Sequence, residues 1–190
     1  MAATQHDHGL IQRGTAPLTL DAPSVDWSYK HLGVIDLITS TGALHRGLDI
    51  YQGWPGFFAA IGWVSVSSGV SAFAIASWFT LAVTFAGVFA MYTLGRALRL
   101  SVPASLAAAM VSLAVNWVAQ DYFSPQALGY VLAIITAALV IRARANRTAW
   151  VLAVGVFAAL AVSHQLTPFW LLGAIGVLML FGRVSWRLAA

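Results

Sequence analysis

Residues 72–95 read AFAIASWFTLAVTFAGVFAMYTLG, a run of 24 residues without a single charged side chain. A helix that crosses a bilayer needs about 20 predominantly apolar residues, so this stretch alone predicts a membrane-spanning helix. Most of the chain after Trp54 has the same character. Of its 190 residues, 60% are hydrophobic and 8% are charged, whereas soluble domains carry about 25% charged residues. The composition therefore predicts an integral membrane protein.

The order of apolar and polar stretches predicts the architecture. We expect an all-α, polytopic helical membrane protein with about five transmembrane helices, over residues 72–95, 103–119, 127–142, 149–164 and 168–182. Pro103, Pro125 and Pro168 fall where first helical turns are expected, a position that tolerates proline. The shorter stretch 54–70 is predicted to be an interfacial or re-entrant helix. The predicted organisation is a polar segment over 1–53, with a disordered start and part of a first outer loop, and a helical transmembrane domain over 54–190.

The arginines predict the orientation of these helices in the membrane. Loops 120–126 and 163–168 contain no arginine or lysine, while the loops after the first, third and fifth spans contain Arg96, Arg99, Arg142, Arg144, Arg147, Arg183 and Arg187. The positive-inside rule places these arginines and the C-terminus in the cytoplasm, and both other loops outside the plasma membrane. If the stretch 54–70 lies in the interface or re-enters, as we expect, the N-terminal segment is extracytoplasmic; if 54–70 crosses the membrane, the segment is cytoplasmic. Because it shows no export signal, we expect that an upstream span is missing from this chain.

Charge and motifs exclude several functional classes. The net charge is +4, but the arginines lie in short clusters between apolar runs, whereas nucleic-acid binding needs a contiguous basic face. No glycine-rich loop for phosphates is present, so nucleotide hydrolysis has no support. The chain lacks cysteine and therefore thiolate metal sites. A divalent cation on Asp26 or Asp121 is possible, although the ligand spacing does not support one.

Two polar, proline-containing stretches, QDYFSPQ (120–126) and SHQLTPF (163–169), interrupt the apolar runs on the predicted outer face. Polar groups near lipid are costly unless they pair or line a wet cavity. We therefore predict a substrate site that also includes side chains of the N-terminal segment, with the candidates Asp26, Lys30, His31, Arg46, Asp49, Tyr51, Trp54, Gln120, Asp121, Gln126, His164 and Gln165. Helix capping by Asp121, His164 and Gln165 is the structural alternative. Trp54 fits either a sugar-binding aromatic platform or a membrane anchor.

Four stretches together resemble a family: DWSYKHLGVIDLITSTGAL (26–44), DIYQGWPGFFAAIGWV (49–64) and the two polar stretches. The chain is similar to multi-spanning membrane glycosyltransferases of the GT-C superfamily, and most to their actinobacterial polysaccharide-type branch. The resemblance covers about residues 26–170. It aligns Asp26, or the nearby Asp21, with an essential loop aspartate, and it aligns Tyr29, His31, Gly33 and Tyr51 through Pro55 with the rest of that loop.

The resemblance implies transfer of a sugar from a polyprenyl-phosphate donor to a glycan or lipid acceptor at the outer face. A carboxylate would take the proton of the acceptor hydroxyl, with Asp26 expected first and Asp121 second. Lys30 and Arg46 would neutralise the leaving phosphate. His31 and His164 would bind the phosphate or orient a hydroxyl, and the side chains expected to bind sugar hydroxyls are Gln120, Gln126 and Gln165.

Two other functions are compatible with the sequence. A transporter or flippase-like protein would carry ionisable groups or broken helices near the bilayer midplane, whereas the predicted spans here have charges only at their ends. A non-catalytic membrane subunit would use the polar stretches to dock a partner. The polar groups gather at one face of the membrane, which favours a reaction at the membrane surface over transport of a substrate across the membrane.

Overall fold

The computed structural model describes residues 22–23, 25–115 and 122–184. This part of the chain is all helical, with seven α-helices, one 3₁₀ turn and no strand. The helices are α1 (Asp26–Thr41), α2 (Gly56–Ser68), α3 (Ala72–Ala97), α4 (Val102–Ala114), α5 (Pro125–Arg142), α6 (Arg147–Ser163) and α7 (Thr167–Leu180), and the 3₁₀ turn is Ile50–Gly53. The prediction of an all-α fold is confirmed.

Local sequence explains where several helices begin. The hydroxyls of Ser71, Ser101 and Ser124 each accept a hydrogen bond from the backbone N–H three residues further on. The side chain of Asn146 accepts from two N–H groups at the start of α6. Such caps satisfy donors that a helix leaves free at its N-terminus. The three prolines lie in the first turns of α4, α5 and α7, as the sequence predicts.

Helix α5 forms the middle of the bundle and packs against α3, α6 and α7. Val131 of α5 is buried in one apolar cluster with Val83 of α3. Ala137, on the same helix, is buried in another cluster with Leu160 of α6 and Leu171 of α7. Because α5 and α6 are joined by the short turn 143–146 and pack side by side, they run in opposite directions. The start of α5 and the end of α6 therefore lie at the same end of the bundle.

Helices α1 and α2 cover this end, which we call the α1 end. Their buried side chains form one apolar cluster with α3 and with the residue before Ser124, made of Val34, Ile35, Phe57, Phe58, Ala76 and Phe123. Gly56, the first residue of α2, lies directly against Val162 and Ser163 at the end of α6. The described parts of the two polar stretches, 122–126 and 163–169, are thus both at the α1 end.

The opposite end, which we call the basic end, collects six of the seven described arginines, and the seventh, Arg46, lies at the α1 end. Arg96 and Arg142 lie in the last turns of α3 and α5. Arg99, Arg144 and Arg183 follow α3, α5 and α7, and Arg147 begins α6. Arg142 donates to the carbonyl of Thr93 at 3.5 Å, and Arg144 donates to the carbonyl of Gly182 at 2.7 Å. Cations near helix C-termini interact favourably with the carbonyl groups that the helix leaves free.

Helix length separates the predicted spans into two groups. Helices α3 and α5, with 26 and 18 residues, are long and apolar enough to cross a membrane. Helices α4, α6 and α7 are apolar but have 13, 17 and 14 residues. At 1.5 Å per residue they extend about 20–26 Å, against about 30 Å for the hydrocarbon core of a bilayer. The predicted span 103–119 is helical as far as Ala114, and its last four residues lie outside the described part.

Candidate functional site

The α1 end is built around His31, which is only 1% exposed. Its Nδ1 lies 2.7 Å from the carbonyl oxygen of Phe123, 92 residues later in the chain. Because a carbonyl oxygen can only accept, Nδ1 carries the proton in this hydrogen bond. The other ring nitrogen, Nε2, is buried and has no hydrogen-bond partner among the described residues. His31 thus ties α1 to the start of α5 and keeps one nitrogen unpaired.

Aromatic rings enclose His31. The Tyr51 ring meets it edge-on at 5.1 Å, the Phe58 ring is tilted at 5.7 Å, and the Tyr122 ring is stacked on it at 5.9 Å. Burial lowers the pKa of His31 below 6.5, and the nearby Lys30 acts in the same direction; the Phe123 hydrogen bond opposes them only in part. The imidazole is therefore neutral near pH 7.

An ion pair lies beside this ring cluster. The ammonium nitrogen of Lys30 is 3.1 Å from one carboxylate oxygen of Asp49. It also lies 5.2 Å from the centre of the Trp27 ring and 5.1 Å from that of Tyr51, within the range of cation–π attraction. The other carboxylate oxygen of Asp49 accepts the Tyr51 N–H at 3.1 Å. Lys30 is therefore held between an anion and two aromatic faces.

The same contacts determine the charge of Asp49. Burial acts to raise the pKa of this carboxyl, but the Tyr51 N–H and the Lys30 ammonium outweigh it and leave the pKa below 3.8. Asp49 is consequently a carboxylate throughout the neutral range. An anion so well supplied with hydrogen-bond donors is a poor proton acceptor.

Gln52 fixes the loop that leads into this site. The side chain is 1% exposed, and its carbonyl oxygen accepts the N–H of His45 at 3.1 Å. Its amide nitrogen, like Nε2 of His31, is buried without a partner among the residues described. The α1 end therefore contains one unpaired acceptor and one unpaired donor, both inside the protein.

Next to the ring cluster, an open groove of about 530 Å³ runs along the loop before α2. Its lining includes a cation, an anion and an indole and consists of Arg46, Gly47, Leu48, Asp49, Ile50, Gly53 and Trp54. Both charges and an aromatic face thus border one space. A phosphate, a hydroxylated ring and an apolar chain each find a matching surface there.

The structure brings together six of the predicted site residues. Lys30, His31, Asp49 and Tyr51 form the cluster around the ion pair, and Arg46 and Trp54 join Asp49 in the groove. Gln52 lies inside the matched loop Tyr51 through Pro55 but was not assigned a role at the site, and the sequence did not single out Phe58, Tyr122 and Phe123. The only signal for the last two is their position inside the stretch QDYFSPQ.

The other predicted residues lie apart or outside the described chain. Asp26 is exposed in the first turn of α1 and forms no ion pair with another described residue. Gln126 is exposed in the first turn of α5, and Gln165 is half-buried after α6. Gln120 and Asp121 lie outside the described residues. The described part contains no group of three or more His, Asp or Glu side chains able to hold a metal ion.

His164 has a structural partner. It follows α6, and its Nδ1 lies 3.2 Å from the backbone nitrogen and 2.7 Å from the hydroxyl of Thr167, which begins α7. Its Cβ also faces Gly129 of α5. Since the backbone N–H can only donate, Nδ1 is the acceptor, and His164 satisfies one of the first free N–H groups of α7.

We expect His164→Ala to lower the free energy of unfolding by about 1 kcal/mol, the usual contribution of one such hydrogen bond. His164→Asn should restore part of the loss, because a side-chain amide oxygen can accept the same N–H. Thermal unfolding in detergent measures both, with Gln165→Ala as the neighbouring control. Unchanged stability of His164→Ala would show that this hydrogen bond does not stabilise the start of α7.

No family model, no curated protein and no solved structure matches this chain.

Proposed function

We propose that this chain is an integral membrane glycosyltransferase, or part of one, that transfers a sugar from a polyprenyl-phosphate donor at the extracytoplasmic face. The observation that carries the proposal is that Arg46, Asp49 and Trp54 line one groove at the α1 end, with Lys30 paired to Asp49 beside it. A donor of this class combines a phosphate, a hydroxylated ring and an apolar chain. The groove offers the Arg46 cation, a carboxylate, an indole and exposed aliphatic side chains, and the Lys30 ammonium lies beside its carboxylate.

Exposed apolar side chains support placement in a membrane. Phe85 and Phe89 of α3, Trp170 of α7 and Phe181 after it are all more than 60% exposed. In water such a surface would be costly, whereas in a bilayer it meets lipid chains. With α3 and α5 as spans and the shorter apolar helices beside them, the protein would be a multi-pass protein of the plasma membrane.

The positive-inside rule supports the orientation. It places the basic end in the cytoplasm, and the α1 end then faces outward. Helix α2 has 13 residues and extends about 20 Å, and it exposes Trp63 and Val66. These features suit an interfacial helix at the α1 end, where the apolar chain of the donor would approach from the lipid.

The chemistry assigned to this groove is displacement at the anomeric carbon. Lys30 and Arg46 would bind the phosphate, whose negative charge grows as it leaves. Trp54 would support the sugar ring, and Asp49 would accept hydrogen bonds from sugar hydroxyls. The Lys30 ammonium is already fixed by Asp49 and two rings, so little reorganisation is needed when a phosphate arrives.

Transfer assays on this chain in proteoliposomes test the proposal. With a panel of radiolabelled undecaprenyl-phosphate hexoses and pentoses, Lys30→Ala should raise the KM for the donor ~10- to 100-fold, the effect of losing a charge-assisted hydrogen bond. Asp36→Asn is the matched control, because Asp36 is an exposed residue of the same helix. If undecaprenyl phosphate binds but no donor in the panel is used, glycosyl transfer is wrong and a non-catalytic subunit is the better assignment.

A further inference from the structure

The unpaired Nε2 of His31 is a specific chemical feature of the α1 end. Since Nδ1 donates to the Phe123 carbonyl, the neutral ring presents a lone pair at Nε2. That atom is fully buried and has no partner among the residues described. Buried polar atoms are nearly always hydrogen-bonded, so one that is not points to a bound molecule or a catalytic role.

Gln52 supplies the complementary group. Its unpaired amide nitrogen is a donor, whereas Nε2 of His31 is an acceptor. Tyr51 connects the two, because its ring contacts His31 and it precedes Gln52 in the chain. A hydroxyl group both donates and accepts, so the hydroxyls of a sugar acceptor match both atoms in hydrogen-bond type.

The described carboxylates are less suited to take a proton. Asp49 is engaged by Lys30 and by the Tyr51 N–H, and its pKa is lowered. Asp26 is exposed in the first turn of α1 and outside the ring cluster. A general base works best when its pKa is close to the working pH. A neutral imidazole is closer to that condition than a carboxylate paired with a cation.

We propose that His31 is the catalytic base of the transfer reaction, an assignment that rests on the proposed function. The acceptor hydroxyl hydrogen-bonds to Nε2. As its oxygen bonds to the anomeric carbon, the bond from that carbon to the phosphate oxygen breaks, and the hydroxyl proton passes to Nε2. The polyprenyl phosphate leaves with the bonding electron pair, and the imidazolium then returns the proton to solvent. Because Nε2 is buried, this step requires that neighbouring side chains, such as the half-buried Tyr122 stacked on the imidazole, move to admit the hydroxyl.

The groups around His31 determine how the rate depends on pH. Two charged side chains act on His31, the Lys30 cation and the Asp49 anion. The other titratable neighbours are Tyr51 and Tyr122. Helix α2 contributes Phe58, which is uncharged. Burial raises the pKa of the Tyr122 hydroxyl above 10, so it stays neutral. The base is active when neutral, so kcat/KM should be constant near neutrality and fall as the pH drops through a value below 6.5.

Two substitutions of similar size distinguish the loss of a base at Nε2 from the loss of the hydrogen bond between Nδ1 and the Phe123 carbonyl. His31→Asn can keep a donor near the position of Nδ1 for the Phe123 carbonyl and removes Nε2, while His31→Gln places an amide near Nε2 that cannot take a proton. Both should lower kcat/KM by ~10²- to 10⁴-fold, the usual effect of removing a general base, and both should abolish the acidic inflection. Binding of undecaprenyl phosphate should be unchanged.

The outcomes are distinct. Transfer by a folded His31→Asn protein at the unmodified rate overturns the assignment of His31 and leaves the proposed function intact. Failure of the unmodified chain to transfer any sugar overturns the proposed function itself. Thermal unfolding shows whether the variants fold; if they do not, the pH profile of the unmodified protein decides. A kcat/KM without an acidic limb over the whole pH range in which the protein stays folded excludes His31 as the base.

Discussion

Replacing Gly56 by alanine should destabilise the protein by about 1–3 kcal/mol, the usual cost of overpacking a well-packed contact. A Cβ on Gly56 would lie 2.7 Å from a side-chain methyl of Val162, 2.8 Å from the Ser163 hydroxyl and 2.9 Å from the backbone carbonyl oxygen of Val162. A methyl group can be displaced by rotating a side chain, but a backbone carbonyl moves only with its helix. Helix α2 would therefore have to shift away from the end of α6.

Gly155→Ala is the matched control, because a Cβ on Gly155 of α6 meets nothing within 4 Å. Alanine favours the helix over glycine by roughly 0.5–1 kcal/mol, so this variant should be as stable as the unmodified protein or more stable. Thermal unfolding in the same detergent compares the two substitutions. Equal stability of Gly56→Ala and Gly155→Ala would show that α2 does not cross α6 as closely as the structure has it.

The same position connects stability with the proposed site. Helix α2 contributes Phe58 to the rings around His31, and the loop that precedes α2 lines the groove with Asp49 and Trp54. A shift of α2 therefore moves two walls of the site at once. We infer that the glycine is required because only a residue without Cβ lets α2 approach α6 closely enough to close the α1 end.

Local sequence predicted those features of the fold that local physics determines. The helix starts coincide with serine, asparagine and proline, because these residues satisfy or lack the backbone N–H groups that a helix start leaves free. The apolar runs predicted most helices of the bundle, and the arginines next to these runs lie at one end of the bundle. The predicted span 103–119 is helical as far as Ala114, and its residues 116–119 lie outside the described part of the chain.

The site was predictable only in part, for a physical reason. Lys30, His31, Asp49 and Tyr51 lie within 22 residues of one another, so a motif can contain them all. Their partner Phe123 is 92 residues from His31, and its contribution is a backbone carbonyl, which every residue type possesses. Because a backbone carbonyl does not depend on the type of side chain, the sequence cannot predict this contact, and only the folded structure shows it.

An all-or-none result is expected from cysteine labelling in intact cells. Because the chain has no cysteine, each introduced thiol is unique within it. A cysteine at Gln126 or Leu166, both exposed at the α1 end, should react with a membrane-impermeant maleimide. One at Ala145, exposed in the turn at the basic end, should react only after the membrane is permeabilised. Ser124 is unsuitable as a labelling position, because its side chain is buried and caps α5.

The opposite pattern, with Ala145→Cys labelled and Gln126→Cys protected, would invert the orientation and with it the side on which transfer is proposed. It would leave the bundle itself unchanged, since both patterns put 126 and 166 on one side and 145 on the other. Labelling at all three positions in intact cells would contradict a membrane-spanning bundle. Each outcome thus separates the orientation of the protein from its fold.

A cysteine at Asp36, exposed on α1, extends the same experiment to α2. Helix α2 begins at the α1 end, where Gly56 contacts Ser163. Only residues 69–71 separate the end of α2 from the start of α3. The start of α3 is at the α1 end as well, because Ala76 is buried in the cluster there. A helix whose two ends lie on one side of a bilayer does not cross it. Asp36→Cys should therefore be labelled together with Gln126→Cys. Labelling of one without the other would mean that α2 spans the membrane, and α1 could not then supply His31 to the carbonyl of Phe123.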